Sequence, residues 1–436
     1  MLVIKNTVFY LFLFLFFVTF NERIIPLTII SFSDELFLLI ATLIIFIDMT
    51  VQVTTQKIHK IHFVLLLYLF YQIINLYTSP FHLKIEYVLI QSFINIKAFI
   101  VPLAILLILE KTRTNYLIIK RLLFIFSILF LFGMVANFVL QGNWNLMMGN
   151  DKIEYRYGFI RPTGWLGAAH LNAYFFGLTF VNIYLLYNKT ITVKVSDFVK
   201  KFFIFIIIDF LIAFPLTVRK GMIMNIPFGF TVFGLFKGGR KIIFSYFAII
   251  FVLAFLLIIK DTEMMADTVR DIAATTNNNS DNLYIRGLMI YNGYSLFLEF
   301  FPVGAGAATF GTVLSQYNTL EVYRHVGLSE YWFSEDGLVG VFDSGLFSML
   351  AENGFIGMLL MSLFIYYFFK FNKNRLDSNN YIIFKMLTWF AILLSFTEPV
   401  WQNGMFTVFY TVNILFIYSK NNIYRENGRW VKYEPL

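Results

Sequence analysis

The sequence predicts an all-α polytopic membrane protein, with about twelve transmembrane helices and a large, partly helical outer loop. The first observation is composition, because 59% of the 436 residues are hydrophobic and only 14% are charged. The second is a mean hydropathy of +0.72. The third is the recurrence of apolar runs as long as a helix needs to cross hydrocarbon. A soluble domain could not bury this much apolar surface.

The apolar runs place the individual helices along the chain. The first run, YLFLFLFFVTF, has no small-residue cleavage site after it, so we expect a retained span rather than a removed signal. Ser33, Asp34 and Glu35 interrupt the second run, and a shorter span over 36–47 is the alternative there. The predicted spans are 8–20, 25–47, 63–78, 86–109, 122–140, 165–187, 202–217, 221–236, 242–259, 345–369, 381–398 and 404–419.

Basic residues set the predicted orientation. Most of the 34 Lys and Arg residues fall on alternate loops, on the side that also carries both ends of the chain. Cytoplasmic loops are enriched in Lys and Arg, so we expect both termini in the cytoplasm. One integrated membrane domain then consists of helices over 1–259, a large periplasmic loop over 260–344, and the last helices with a cytoplasmic tail over 345–436.

Net charge and cysteine content exclude several classes of protein. The net charge of +8 follows the alternation of loops, so we expect no nucleic-acid partner. The chain has no Cys, which excludes disulfides, thiolate metal sites and cysteine nucleophiles. The predicted outer segments carry no Asp-x-Asp motif and no His cluster. We therefore expect no cofactor and metal-independent chemistry, with a metal held by distant carboxylates as the alternative.

Arginines precede the sixth predicted span in GNDKIEYRYGFIRPTGWLGAAHLNAYFFG. Arg156 and Arg161 come before a Pro-Thr-Gly turn, and His170 and Asn172 stand at the helix start. Arginine beside a helix N-terminus suits an anion, because the guanidinium, the backbone amides and the helix dipole act together. The alternatives are interfacial arginines that contact lipid phosphate, and a His170 that only hydrogen-bonds at the helix start.

Two more outer segments carry candidate binding residues. Arg219 and Lys220 form a tight basic turn with Gly221 between the seventh and eighth spans, where positive charge opposes the orientation rule. In the long loop, Arg286 lies on a predicted helix, and a Pro–Gly–Gly turn follows over 302–306. Backbone amides freed in such a turn suit phosphate or sugar oxygens. Tolerated interfacial charge and an ordinary glycine turn are the alternatives.

The end of the long loop combines aromatic side chains with carboxylates. The segment YRHVGLSEYWFSEDG contains His325, and its composition suits either sugar binding or a packed loop. Asp343 and Glu352 flank the segment that leads into the tenth span. Within the membrane, Lys97 and Asp209 fall near the middle of their predicted spans, where charge is costly. Our hypothesis is that these two residues pair with each other or face a polar cavity.

The order of these motifs resembles that of the O-antigen and capsular polysaccharide polymerases (the Wzy proteins), a family that also includes the O-antigen ligases. The resemblance covers residues 120–400 and extends to the number of spans, the inside termini and the single large outer loop. The ligases and many relatives carry His-Asn before the closing helix, where this chain has Phe342-Asp343-Ser344. The matching motifs are Arg161-Pro-Thr-Gly164 with His170-Leu-Asn172, Arg219-Lys220-Gly221, Arg286 before Pro302, Gly304 and Gly306, and Glu352 with Gly354 and Gly357.

The resemblance implies a membrane glycosyltransferase that joins sugar repeats carried on undecaprenyl pyrophosphate, at the outer face of the bacterial inner membrane. The growing glycan would move to a new lipid-linked repeat, with inversion at the anomeric centre and release of undecaprenyl pyrophosphate. Asp343 is the expected base because the usual His is missing, and His325 is the second choice. The implied pyrophosphate- and glycan-binding residues are Arg161, Arg219 and Arg286, then Arg156 and Lys220, together with His170, Asn172 and Glu352.

The partners that the resemblance implies are the lipid-linked donor and acceptor, membrane lipids, and a chain-length regulator and flippase of the same pathway. One alternative is an O-antigen ligase, which would move finished glycan onto lipid A–core sugar. Another is a non-enzymatic flippase of lipid-linked oligosaccharide, which predicts inverted repeats, broken helices and small outer loops. The sequence instead shows no repeat and a large loop. A structural membrane protein, whose outer arginines tolerate substitution, is the third alternative.

Overall fold

A computed structural model describes most of the chain outside residues 180–284. Within it, the protein is mostly helical. Residues 170–172, 174–175 and 177–179 are helical as well. The described residues are 2–24, 32–55, 59–109, 112–149, 155–156, 159–160, 163–168, 170–172, 174–175, 177–179, 285–328, 345–395, 399–420, 423–426 and 429–432.

Helices make up nearly all of the described secondary structure, with two short antiparallel hairpins beside them. The hairpins pair β1 (Tyr155–Arg156) with β2 (Phe159–Ile160), and β3 (Ile423–Glu426) with β4 (Arg429–Lys432). The helices are α1 (Leu2–Phe20), α2 (Ser33–Thr54), α3 (Lys60–Thr78), α4 (Ile85–Ile94), α5 (Lys97–Ile108), α6 (Arg113–Leu140), α7 (Gly142–Met147), α8 (Ile285–Glu299), α9 (Ser315–Asn318), α10 (Glu321–His325), α11 (Gly345–Lys373), α12 (Ser378–Leu394) and α13 (Gly404–Lys420).

Among the described residues, 4 helices are long and apolar enough to cross a membrane, or up to 5 if a bent pair counts as one span. The four are α2, α3, α6 and α11, and the pair is α4 with α5. Shorter apolar helices stand at the predicted spans of α1, α12 and α13. The prediction of a helical membrane protein is confirmed at this level. The predicted spans 202–217, 221–236 and 242–259, and the end of 165–187, lie outside the described residues.

The helix α13 lies at the centre of the bundle, where it packs against α1, α5, α6 and α12. Its residues 405–419 are all buried, which is typical of an apolar helix with neighbours on every side. Aromatic rings fill the surrounding space, as where Phe99 meets Trp401 at 5.1 Å. On the outside of the bundle, Phe14 and Phe138 are 61% and 85% exposed, and such an exterior suits hydrocarbon rather than water.

The span predicted over 86–109 is broken in the structure. The helix α4 ends at Ile94 and α5 begins at Lys97, with a bend of 67° between them. Asn95 occupies the break, and its Oδ1 accepts hydrogen bonds from Gln91 Nε2 (2.7 Å) and Gln402 Nε2 (2.9 Å). The amide of Ala98 donates to the carbonyl of Trp401 (3.3 Å). Such partners are required where a helix breaks away from water.

The described part of the predicted outer loop, residues 285–328, is partly helical and packs on the membrane helices. The helix α8 lies along α11, and α9 contacts α4. A small hydrophobic core joins the loop to α11 and contains Met289, Leu296, Phe310, Val322, Tyr323, Leu328 and Ala351. The loop therefore has a fixed position over the ends of α3, α4 and α11.

Candidate functional site

A kink in α11 meets the turn over 302–306 of the long loop. Gly354 has a φ of +58°, outside the helical range, so the carbonyls before it and an amide after it lose their helical partners. The turn replaces these partners through three hydrogen bonds, from Ala305 N to Ala351 O (2.8 Å), from Gly306 N to Glu352 O (3.0 Å) and from Ile356 N to Pro302 O (3.2 Å).

Two glycines allow the turn and the kink to come this close. Gly304 has a φ of +89°, which favours glycine, and a Cβ placed on it would lie 2.4 Å from the backbone N of Gly354. The Pro–Gly–Gly turn at Pro302 and the Glu-x-Gly motif at Glu352 are distant in the sequence, and they are therefore two halves of one backbone contact. The predicted turn is confirmed, and its close contact with α11 is new information.

The carboxylate of Glu352 holds the next part of the loop. Its Oε1 accepts hydrogen bonds from Thr309 N (2.9 Å), Phe310 N (3.2 Å) and Thr312 Oγ1 (2.9 Å). The side chain is 0% exposed. The family resemblance implied a substrate contact for Glu352, but the burial of its side chain and its backbone partners favour a structural role. Glu352 fixes the 309–312 segment against α11.

A polar face of α3 completes the base of this contact. Tyr68, Tyr71, Gln72 and Asn75 are buried at helical spacing on one side of an otherwise apolar span. Their partners lie on α11, where Asn353 Oδ1 accepts from Gln72 Nε2 (2.7 Å) and from Tyr68 OH (3.3 Å). Asn75 Nδ2 donates to the carbonyl of Glu352 (3.0 Å) and Tyr71 OH to that of Asn353 (2.8 Å). Sequence reasoning missed this face, although the spacing of its polar residues could have indicated it.

The connection between α3 and α4 also holds the loop by hydrogen bonds. Ser79 Oγ donates to the carbonyl of Ala305 (2.6 Å). The amide of Lys84 donates to Asn318 Oδ1 (2.8 Å), and Asn318 Nδ2 donates to the carbonyl of Ala308 (3.0 Å). The 302–318 segment is therefore fastened to three membrane helices by hydrogen bonds between buried or half-buried groups.

Tyr323 anchors the far end of the same segment. Its hydroxyl accepts a hydrogen bond from Gly311 N (2.8 Å) and shares another with Ser315 Oγ (2.5 Å). Burial raises the pKa of Tyr323 above its usual range, so the phenol stays neutral. A neutral hydroxyl can donate as well as accept, and both abilities are used in this loop.

His325, the second-choice base, lies at the edge of the loop. Its side chain is 42% exposed, and its Nε2 lies 2.8 Å from Glu299 Oε1 at the end of α8. The rings of Phe81 and Phe300 stand 5.8 and 5.9 Å from the imidazole. A carboxylate that orients an exposed imidazole is one arrangement that suits proton transfer. His325 therefore stays a candidate.

The residues 163–172 form a second hydrogen-bonded unit, after Arg161 and Pro162. Asn172 is buried, and its Nδ2 donates to the carbonyls of Thr163 and Ala168, the latter at 3.0 Å. Gly164 has a φ of +56°, and a Cβ there would lie 2.6 Å from the Asn172 amide. The Gly164 and Asn172 positions of the motif are thus in contact, and Asn172 holds the turn rather than pointing outward. His170 is half-buried, with its ring 5.8 Å from that of Tyr174.

Three residues from α6 and α7 support the same turn. Asn137 Oδ1 accepts from the amides of Thr163 and Gly164, both at 2.8 Å. Trp144 Nε1 donates to the carbonyl of Gly164 (2.8 Å), and Asn145 Oδ1 accepts from Asn137 Nδ2 (2.9 Å). Sequence reasoning did not single out these residues. The two asparagines of the segment GNWN, Asn143 and Asn145, were the sequence pattern that could have indicated a polar contact here.

Among the described residues, Lys97 pairs with Asp34, a residue that the sequence hypothesis did not consider. Its Nζ lies 2.7 Å from Asp34 Oδ2, and its side chain is only 4% exposed. Asp209, the hypothetical partner, lies outside the described residues. Asp34 lies in the first turn of α2 and Lys97 begins α5, so the ion pair joins two helix starts. Gly404 makes room for it, because a Cβ there would lie 2.4 Å from Asp34 Oδ2.

The remaining predicted site residues fall where the structure gives no side-chain contacts. Arg161, Arg219, Lys220 and Asp343 lie outside the described residues, and the side chains of Arg156 and Arg286 do as well. Their backbones place Arg156 in β1 and Arg286 at the start of α8. In the described part of the chain, no group of three or more His, Asp or Glu side chains could hold a metal ion.

Comparison with known proteins adds no family to these observations. No family model matches the chain, and no curated protein matches it.

Proposed function

We propose that this chain is a membrane polysaccharide polymerase that acts on undecaprenyl-pyrophosphate-linked repeats at the outer face of the bacterial inner membrane. The observation that carries the proposal is the built contact between the 302–312 segment and the kinked α11. A buried carboxylate and three membrane helices keep a glycine turn rigid at one end of the bundle. Rigid turns on a helical scaffold suit binding of sugar and phosphate oxygens.

The proposed reaction is a displacement at the anomeric carbon of the donor. A hydroxyl oxygen of the acceptor repeat attacks that carbon, the bond to pyrophosphate breaks, and the configuration inverts. The hydroxyl proton goes to Asp343, or to His325 as the second choice. Undecaprenyl pyrophosphate leaves with the negative charge on its terminal phosphate oxygen. Because the donor glycan is already activated by this pyrophosphate, the reaction consumes no nucleotide sugar.

Arginines are proposed to stabilise the charge that develops on the leaving pyrophosphate. Arg161, Arg219 and Arg286 come from three separate segments, with Arg156 and Lys220 as further contacts. Each preorganised donor of this kind contributes roughly 3 kcal/mol to transition-state stabilisation. His170 completes the proposed contacts near the 163–172 unit. In this arrangement, Glu352 and Asn172 are positioning residues, because both are buried and each holds a backbone segment, Glu352 the 309–312 segment and Asn172 the turn that follows Arg161 and Pro162.

Chain length in a deletion strain tests the pyrophosphate contacts. We expect Arg286→Ala and Arg161→Ala to insert normally and to abolish long polymer, because each removes a donor to the leaving group. Lys373→Ala is the matched control, since Lys373 ends α11 on the opposite, predicted inner side. Wild-type chain length in both arginine variants, at wild-type protein levels, would refute the pyrophosphate contact.

The base is tested separately. We expect Asp343→Asn to abolish polymerisation while leaving protein levels unchanged, because an amide cannot take the hydroxyl proton. Full activity in that variant would move the assignment to His325. A loss in His325→Asn that Glu299→Gln reproduces in part would then support the exposed imidazole–carboxylate pair.

A lipid-linked oligosaccharide flippase is the second candidate, and two observations favour it. The pair α4–α5 is bent by 67°, and α11 is kinked at Gly354, with polar side chains of α3 between them. Discontinuous helices with polar linings are typical of transporters. Accumulation of single-repeat products in a knockout supports the polymerase, and loss of all outer-face product supports the flippase. Unattached polymer would instead indicate a ligase.

A further inference from the structure

The helix α8 has one face that is fixed by packing. Met289 and Leu296 are 0% exposed, and Asn292 is buried between them. Gly293 lies directly against α11, because a Cβ placed on it would come 2.9 Å from the carbonyl oxygen of Phe347. These positions follow helical spacing, so they define the side of α8 that contacts α11. The opposite side of α8 therefore faces away from α11.

That opposite side is exposed and apolar. Tyr291 is 67% exposed, Tyr294 50% and Leu298 55%, and Phe301 just after the helix is 58% exposed. No charged residue occurs from 287 to 298 in the sequence. A helix that packs on one face and meets water on the other normally carries charged and polar residues on the second face. The exposed face of α8 is of the kind that membrane helices present to lipid.

A row of aromatic rings connects this face with a membrane helix. Tyr294 and Phe297 lie 6.4 Å apart, Phe297 and Phe301 6.0 Å, and Phe301 and Phe355 5.8 Å. Phe355 belongs to α11, which is long and apolar enough to cross a membrane. The row is thus continuous with the side of α11 that also exposes Leu359, Leu363 and Tyr366. A single apolar surface runs from a membrane span onto α8.

The other end of the loop differs sharply from this surface. His82 is 95% exposed, and its Nδ1 lies 3.4 Å from Glu321 Oε1 at the start of α10. Lys84 Nζ donates to the carbonyl of Tyr317 (3.3 Å) at the protein surface. Exposed polar groups of this kind belong in water. The loop therefore has one apolar flank at α8 and one polar flank around His82.

We propose that α8 lies at the membrane boundary, with Tyr291, Tyr294, Leu298 and Phe301 in contact with the hydrocarbon of the bilayer. The long loop is then not wholly in water, as the sequence predicted, but returns to the membrane before the 302–306 turn. Bilayer hydrocarbon is the occupant because the apolar surface continues without interruption from α11. Amphipathic rings such as Tyr291 and Tyr294 are also the residues that concentrate at membrane interfaces. The proposal is independent of the reaction that the protein performs.

Cysteine scanning tests this placement directly, since the chain contains no Cys. Single variants Tyr294→Cys and Leu298→Cys are labelled with a bimane fluorophore and reconstituted in vesicles of brominated phosphatidylcholine. His82→Cys is the matched control on the polar flank. We expect bromine to quench the labels at 294 and 298 and to leave the label at 82 unquenched. Each variant must first give wild-type size-exclusion behaviour, and the two α8 positions serve as replicates.

Reactivity provides an independent readout on the same variants. Hydrocarbon disfavours the reactive thiolate, so an impermeant maleimide should modify residues 294 and 298 at least about tenfold more slowly than residue 82. Modification at the rate of residue 82 without quenching would show that α8 faces water. Slow modification without quenching would show that protein covers the face. Either result would overturn the proposal.

Discussion

Replacing Glu352 by alanine removes one acceptor that three buried donors share. Thr309 N, Phe310 N and Thr312 Oγ1 all donate to Glu352 Oε1, at 2.9, 3.2 and 2.9 Å. A buried donor left without a partner costs about 1–3 kcal/mol, so the three together give a loss of roughly 3–9 kcal/mol before the loop relaxes. Proteins have a total stability of about 5–15 kcal/mol. The alanine variant should therefore release the 309–312 segment from α11.

Glutamine is the matched control at this position. Its amide oxygen can accept the same three hydrogen bonds, and its volume is nearly that of glutamate. Glu352→Gln should therefore retain most of the stability that Glu352→Ala loses. The pair of variants separates the acceptor from the charge. If the charge itself mattered, the glutamine variant would behave like the alanine variant.

Thermal unfolding of the purified protein in detergent measures the effect. At about 2 °C per kcal/mol for a large chain, the smallest expected loss corresponds to a decrease in Tm of roughly 6 °C for Glu352→Ala. Polymer length in the complemented deletion strain should fall in parallel, because the released segment no longer shapes the site. A wild-type Tm for Glu352→Ala, or equal losses for both variants, would refute the role that the hydrogen bonds assign to this carboxylate.

Two further predictions follow from close contacts in the structure. Gly304→Ala should prevent docking of the turn and reduce Tm and polymer length, because its Cβ would lie 2.4 Å from Gly354 N. Gly327→Ala is the control, since Gly327 also has a positive φ but a Cβ there would meet nothing within 4 Å. Equal Tm values for the two variants would contradict the contact. Lys97→Met should destabilise by at most about 3–5 kcal/mol, because it leaves a half-buried Asp34 unpaired, and the added Asp34→Asn should restore much of the Tm. A double variant no better than the single one would contradict the ion pair.

The helices were the part of the fold most accessible from the sequence. Apolar runs predicted the presence of α2, α3, α6 and α11, because length and composition alone decide whether a helix suits a membrane. The bounds of α2 differ, since it spans Ser33–Thr54 and the predicted span was 25–47. The break at Asn95 was not predicted, although Gln91, Ser92, Asn95 and Lys97 interrupt the apolar run over 86–109. At the break, Asn95 Oδ1 accepts a hydrogen bond from Gln402, which is 307 residues away in the sequence. Contacts of that range leave no pattern in one sequence.

The sequence predicted which residues belong to the candidate site better than it predicted the role of each residue. The motifs correctly singled out the 302–306 turn, Glu352 and Gly354, which the structure brings into one contact. The sequence did not reveal that Glu352 is buried and bonded to backbone amides, because burial depends on how α3 and α11 pack. For Lys97, the hypothesis considered charges near the middle of spans, whereas Asp34 lies at the start of α2.

Activity of the purified protein tests the central proposal most directly. The protein is reconstituted in vesicles with lipid-linked repeat extracted from the deletion strain, and glycan length and undecaprenyl pyrophosphate are measured together. The proposal predicts a ladder of longer lipid-linked glycans, with one undecaprenyl pyrophosphate released for each repeat added, and loss of both in Arg286→Ala. Movement of the repeat across the vesicle membrane, without longer glycan and without released pyrophosphate, would contradict it.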